Sequence, residues 1–217
     1  MSAPGFEVAR IAELESLPGP GTLRWTPIRR RFGFTAVGVN AYTAAESGQD
    51  VVEKHTEGTL GHEEIYVVLA GRATFTLAGE EHDAPAGTLV VIRDPQVQRT
   101  AVAAEPGTTV LAIGGKPGSH DTSEWEYSFA AYGHMQQGDF ERGLAEIRAG
   151  LEEKGEDTPR LLYDLACFES LAGQTEDAIG HLVRAVELDP KYRGYASDDA
   201  DLDAIRADPR FPAAPAT

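Results

Sequence analysis

The sequence is short of cysteine, of basic residues and of long apolar runs, and each shortage excludes something. Cys167 is the single cysteine among 217 residues, so no intramolecular disulfide can form and no thiolate cluster can hold a metal. A chain of this kind suits a reducing compartment, and the cytoplasm is the expected location. No stretch approaches the roughly 20 apolar residues that a membrane helix needs. The opening Met-Ser-Ala-Pro-Gly-Phe-Glu lacks the basic start and apolar run of a signal peptide, so no membrane is an expected partner. Lysine and arginine number 19 against 35 acids, for a net charge of −16. Such a surface repels phosphate backbones and excludes nucleic acid as an expected partner. Arg29-Arg30-Arg31 is too short to reverse that, and it reads as a solvated strand end rather than an anion site.

What remains is enough for a globular protein. The hydrophobic content of 41% supplies a packed core, and the texture of the chain changes near residue 120. Residues 1–31 form an arm with one expected short helix, Val8 to Leu17, ended by Pro18-Gly19-Pro20-Gly21. Residues 32–115 hold short runs rich in Val, Ile, Thr, Phe and Tyr: Phe34–Tyr42, Val51–His55, Ile65–Leu69, Ala73–Leu77, Thr88–Ile92, Val97–Ala101 and Thr108–Ile113. Their spacing of roughly 8–12 residues predicts a closed antiparallel barrel or a sandwich. Ile65-Tyr66-Val67-Val68-Leu69 is apolar throughout, as in a strand covered on both faces. Ala78-Gly79 predicts a tight hairpin.

Residues 116–123 read as a linker, after which the period is helical. Gly138-Asp139-Phe140-Glu141 and Gly173-Gln174-Thr175-Glu176 lie 35 residues apart, each between amphipathic stretches. This unit, over residues 124–190, resembles the tetratricopeptide repeat. The small residues Ala166, Ala178 and Ala185 match the repeat's helix-crossing points, with Ala131, Gly143 and Gly150 in the first unit. Leu165, Leu182 and Leu188 fill the core, Gly173 turns the chain and Pro190 stops the second helix. Asp201 to Arg206 is expected to add an amphipathic cap, and the acidic run Asp198 to Asp203 reads as a solvated face or helix N-terminal charge. The resemblance implies a docking face for a protein or peptide, or a surface for packing and dimerisation; two units are fewer than such arrays usually need.

Residues 51–99 resemble the two motifs of the cupin family. His55-Thr56-Glu57 stands where that family has His-x-His, and Glu64 through Gly71 matches its Glu-x6-Gly. Pro85-Ala86-Gly87 and Thr88–Ile92 match the turn and strand of the second motif, with Gln98 nearest its final histidine. The fold this implies is an all-β cupin barrel, a jelly roll, followed by the helical module. The family's divalent metal would here be Fe, Mn, Ni or Zn, held by His55, Glu57, Glu64 and His62. The departures from three histidines leave a metal-free alternative open. In it, Glu57 and Glu64 bind a polar ligand, with Tyr66, Gln98 and Arg99 as partners, since a buried carboxylate pair needs a neutralising group. His82, His120, His134 and His181 read as surface or packing residues, and Cys167 as a packed one.

Two functions are therefore expected. The first is a cupin that binds a small polar molecule, with or without a divalent metal, beside an interaction module and with a homodimer as the default by analogy. The second is a metal-dependent cupin enzyme of dioxygenase, isomerase or lyase type. No phosphate loop, dinucleotide fingerprint or Gly-x-Ser-x-Gly elbow occurs in the chain.

Overall fold

The computed structural model describes residues 9–19, 21–33 and 36–212. The chain divides into two compact units, residues 1–120 and 121–217. In the first unit the strands are β1 (Leu17–Pro18), β2 (Arg24–Thr26), β3 (Gly38–Thr43), β4 (Asp50–His55), β5 (Glu63–Ala70), β6 (Arg72–Leu77), β7 (Glu80–Pro85), β8 (Leu89–Ile92), β9 (Arg99–Ala103) and β10 (Thr109–Gly115). A short helix α1 (Ile28–Phe32) follows β2. All pairings are antiparallel. Among the described residues one sheet has the order β1-β2-β3-β10-β5-β8 and the other β4-β9-β6-β7. From β3 onward the chain passes repeatedly from one sheet to the other, as in a jelly roll.

Period-two alternation explains the core. Val51, Phe75, Ala101 and Ala103 of the smaller sheet meet Tyr66, Val68, Ile92 and Val110 of the larger one, all buried. Hydrophobic burial of this kind drives two sheets together at about 25 cal/mol per Å². Two turns fix the register. Ala78 and Gly79 both have positive φ, 50° and 94°, and join Leu77 to its partner Glu80 in the two-residue hairpin geometry. Gly71 (φ +71°) turns β5 into β6; a Cβ there would lie 2.5 Å from Thr108 Oγ1 and 2.7 Å from its Cα. The glycine of the Glu-x6-Gly match thus has a steric reason.

Several expectations are corrected. The Val8–Leu17 helix is, among its described residues, one 3-10 turn at Ile11–Glu13, and Leu17 pairs instead with Trp25 as a strand. The arginine triplet lies on α1, not at a strand end. Ile65 and Leu69 are 40% and 44% exposed, so β5 is covered on one face only. Strand β9 begins at Arg99, because Val97 closes a turn onto Asp94 O. Phe34 lies outside the described residues.

The second unit contains α2 (Glu124–Gln136), α3 (Phe140–Lys154), α4 (Pro159–Leu171), α5 (Thr175–Leu188), α6 (Lys191–Asp198) and a 3-10 turn, Ala200–Ile205. Ser123 and Glu126 form a capping box at the start of α2, satisfying amides that a helix leaves unpaired. α2 and α4, and likewise α3 and α5, start 35 residues apart. Small residues let the hairpins close: Ala131, Ala166, Ala178 and Ala185 have no exposure. A Cβ at Gly143 would fall 2.4 Å from Phe168 Cε1. Helix α6, not foreseen from the sequence, buries Tyr192 and Ala196. Asp199 of the acidic run caps the following 3-10 turn and accepts a hydrogen bond from Tyr163 (2.7 Å). Cys167 is buried, and burial pushes its thiol pKa up, as for a packing residue. No helix among the described residues is long and apolar enough to cross a membrane.

Candidate functional site

The open end of the β unit holds a cavity of about 250 Å³. Its wall is built from the inward positions of β3 (Asn40, Tyr42), the end of β4 (His55) and the inward positions of β5 (Glu64, Tyr66). Glu57 and His62 come from the loop between β4 and β5. Glu57 is held there by its amide, which donates to Pro95 O at 2.9 Å.

Glu64 is the hub. Its Oε2 accepts from Arg99 Nε (3.1 Å), Arg99 Nη2 (2.9 Å) and Tyr66 OH (2.5 Å). His55 Nε2 stands 3.7 Å from that oxygen and 3.7 Å from Glu57 Oε1. His62 Nδ1 lies 3.6 Å from Glu57 Oε2, an oxygen that is buried without a hydrogen-bond partner. Arg99 has no solvent exposure, and its Nη1 donates to Val97 O at 2.8 Å. His55 Nδ1 lies 2.7 Å from Glu53 O, which fixes the ring with Nε2 toward the cavity.

Electrostatics follow from these contacts. Burial by itself would raise the Glu64 pKa, but the nearby His55 imidazole, the Tyr66 hydrogen bond and the Arg99 charge hold it below its ordinary value. The Glu64 carboxylate beside it raises the His55 pKa. Burial, then the charges of Glu53, Glu64 and Glu57, push Tyr42 up to about 12.

The structure brings together His55, Glu57, His62, Glu64, Tyr66 and Arg99. It does not bring Gln98, whose side chain is exposed; its carbonyl accepts from Ala78 N. The reason is parity: in β9 Arg99, Ala101 and Ala103 point inward, so the residue before Arg99 lies outside the barrel. Tyr42 and Glu53 also line the cavity and went unnoticed in the sequence. The alternation of β3 carries the signal for Tyr42, once Ala41 is known to face the other way.

A family model described as the AraC-like ligand binding domain matches residues 38–162, more than half of the 217 residues. The chain belongs to the AraC-like ligand-binding family. The match starts at β3, spans the rest of the β unit and ends within α4. No curated protein matches the sequence. Among solved structures, a cupin protein from Bacteroides fragilis is 22% identical, with a TM-score of 0.44 over 56% of this chain and 92% of its own. A sugar phosphate isomerase from a cupin superfamily, from Silicibacter pomeroyi, is 15% identical with a TM-score of 0.42, over 51% and 76%. An RmlC-like cupin from Shewanella frigidimarina is 15% identical with a TM-score of 0.40, over 54% and 95%.

The cupin pattern in this AraC-like domain implies a divalent metal. His55, Glu57 and Glu64 each offer a ligand atom, all within 4.8 Å of one another. Glu64 Oε2, however, already accepts three hydrogen bonds, two of them from a buried guanidinium. A cation on that oxygen would meet the like charge of Arg99. His55, Glu57 and His62, whose Nδ1 lies 3.6 Å from Glu57 Oε2, are not engaged by Arg99, and Glu64 keeps its second oxygen. The Arg99 charge beside Glu64 therefore weakens a cation held through that carboxylate, while the His55–Glu57–Glu64 set itself is in place.

Proposed function

We propose that the barrel binds a small polar molecule in the His55–Glu57–Glu64 cavity, with Arg99 rather than a metal neutralising Glu64. One observation carries this reading: Arg99 and Tyr66 hold one oxygen of Glu64 beneath an open cavity, while Glu57, which also lines it, has a buried oxygen that accepts no hydrogen bond, with His62 Nδ1 3.6 Å away. An unpaired buried acceptor costs about 1–3 kcal/mol, a cost that a bound donor removes. The family's description as ligand-binding agrees. Metal-dependent catalysis of dioxygenase, isomerase or lyase type is the reading that the Arg99–Glu64 pair disfavours.

The test screens the full chain against neutral, cationic and anionic small molecules by thermal shift, with His55→Ala and Glu57→Ala as loss controls. A stabilising compound whose effect disappears in both variants supports the reading. No compound shifting the wild type would sink it. In parallel, the chelated protein is reloaded with Fe, Mn, Ni or Zn and desalted. Retention of one equivalent that His55→Ala abolishes would establish the metal reading instead.

For the second unit we propose two tetratricopeptide-like hairpins that serve protein docking or self-association. The 35-residue offset and the exposed aromatic residues Trp125, Phe129 and Tyr132 support it, and sedimentation of the full chain over a concentration series tests the second of these roles.

A further inference from the structure

The cavity's chemistry restricts what it can take. Its described lining holds Glu53, Glu57 and Glu64 but no lysine or arginine. Arg99 reaches only the inner oxygen of Glu64, and its remaining donor Nη1 is directed to the carbonyls of Val97 and Pro95. The hydroxyl of Tyr66 is likewise given to Glu64. His55 Nδ1 faces Glu53 O, and the two histidines stand against Glu57 rather than opening toward an anion. Carboxylate charge therefore exceeds fixed positive charge around the cavity. Three carboxylates are offset by one fixed positive charge, the Arg99 guanidinium; the imidazoles of His55 and His62 add to it only when protonated.

We infer, building on the ligand-binding reading above, that the ligand presents a positively charged, donor-rich group such as a primary ammonium to Glu57, with Glu53 at the rim. The Glu57 carboxylate accepts one of its N–H donors, and charge-assisted bonds of this type are about twice as strong as neutral ones. A phosphate or carboxylate ligand would find no free cation in the described lining. A neutral polyol would satisfy the acceptors but leave the charge excess in place. The volume of about 250 Å³ is below the roughly 300–1,000 Å³ of drug-sized pockets, so the group belongs to a small molecule.

The test is calorimetric titration of the chelated full chain at low salt with three four-carbon probes: 1,4-diaminobutane, erythritol and succinate. Saturable binding of the diamine at least about tenfold tighter than erythritol is expected, with none for succinate; such a ratio is what a hydrogen bond to a charged group gives. Glu57→Gln, nearly isosteric, is expected to weaken the diamine by a similar factor, and Glu53→Gln at the rim by less. Erythritol or succinate binding as tightly as the diamine overturns this inference while leaving small-molecule binding by the barrel intact. Diamine binding unchanged in Glu57→Gln overturns it, as does a silent diamine. Stoichiometric Mn²⁺ binding with the diamine silent overturns both this inference and the metal-free site. The ligand-binding reading fails separately, on a screen in which nothing shifts the wild type.

Discussion

Arg99 directs two N–H donors, Nε and Nη2, at one oxygen of Glu64 from a position without solvent exposure. The pair ties β9 of one sheet to β5 of the other at the floor of the cavity. A buried ion pair of this kind adds little against a well-packed apolar pair, but removing one partner strands the other.

Arg99→Met should therefore destabilise the β unit by about 3–5 kcal/mol, read by urea denaturation of the full chain. Arg99→Met with Glu64→Gln should recover a large part of that loss, because no uncompensated carboxylate remains. A double variant as unstable as the sum of the two singles would show that the residues do not act as a pair.

Much of the β unit was legible because its signals are local. Apolar, β-branched runs marked the strands from 51 onward except the polar β7 (Glu80–Pro85), Ala78-Gly79 declared its hairpin, and Glu64 to Gly71 carried the motif spacing. The illegible parts depend on partners distant in sequence. Leu17 becomes a strand only because Trp25 is there to pair with it. Gln98 and Arg99 are adjacent, so a strand start displaced by one residue exchanges which of them enters the barrel. His55, Glu57 and Glu64 were readable as a set, whereas Arg99 capturing Glu64 follows from a sheet-to-sheet contact that spacing does not encode. In the helical unit the 35-residue offset was visible, but α6 was not: Lys191–Asp198 has little apolar character beyond Tyr192, Tyr195 and Ala196.

The second prediction concerns pH. Glu169 on α4 is buried and lies 2.6 Å from His181 Nδ1 on α5. That hydrogen bond raises the His181 pKa above its ordinary value. A raised folded-state pKa makes the contribution fully present below the unfolded value of about 6.5, and it is lost as pH rises through the folded value. The melting-temperature difference between wild type and His181→Gln should accordingly be larger at pH 6 than at pH 9. A difference that grows with pH would contradict the pairing.

Tyr42 supplies a third. Burial and the carboxylates of Glu53, Glu64 and Glu57 push it up to about 12, so its neutral form is favoured in the folded protein. The stability this represents is present below the unfolded value of about 10 and falls as pH rises toward the folded one. Comparison of wild type with Tyr42→Phe by ultraviolet titration should assign no phenolate to Tyr42 until well above pH 10, and Glu57→Gln should shift its onset downward. A Tyr42 phenolate forming near its ordinary value would remove the electrostatic picture of the cavity.

The last prediction separates two glycine classes within the helical unit. Replacing an exposed mid-helix glycine by alanine ordinarily gains about 1 kcal/mol. Gly180 on α5 is exposed, and a Cβ there meets nothing within 4 Å, so Gly180→Ala should stabilise by that order. Gly143 and Gly150 on α3 have the same propensity but no room. Their Cβ atoms would lie 2.4 Å from Phe168 Cε1 and 2.7 Å from Tyr127 Cγ, with Leu161 Cδ1 at 2.9 Å from the latter. Overpacking costs roughly 1–3 kcal/mol, which exceeds the helical gain. Gly143→Ala and Gly150→Ala should therefore lower stability while Gly180→Ala raises it, in one thermal or urea series on the full chain. The same sign at all three positions would mean that the α2–α3 and α3–α4 contacts are looser than the packing of Phe168 and Tyr127 against these glycines requires.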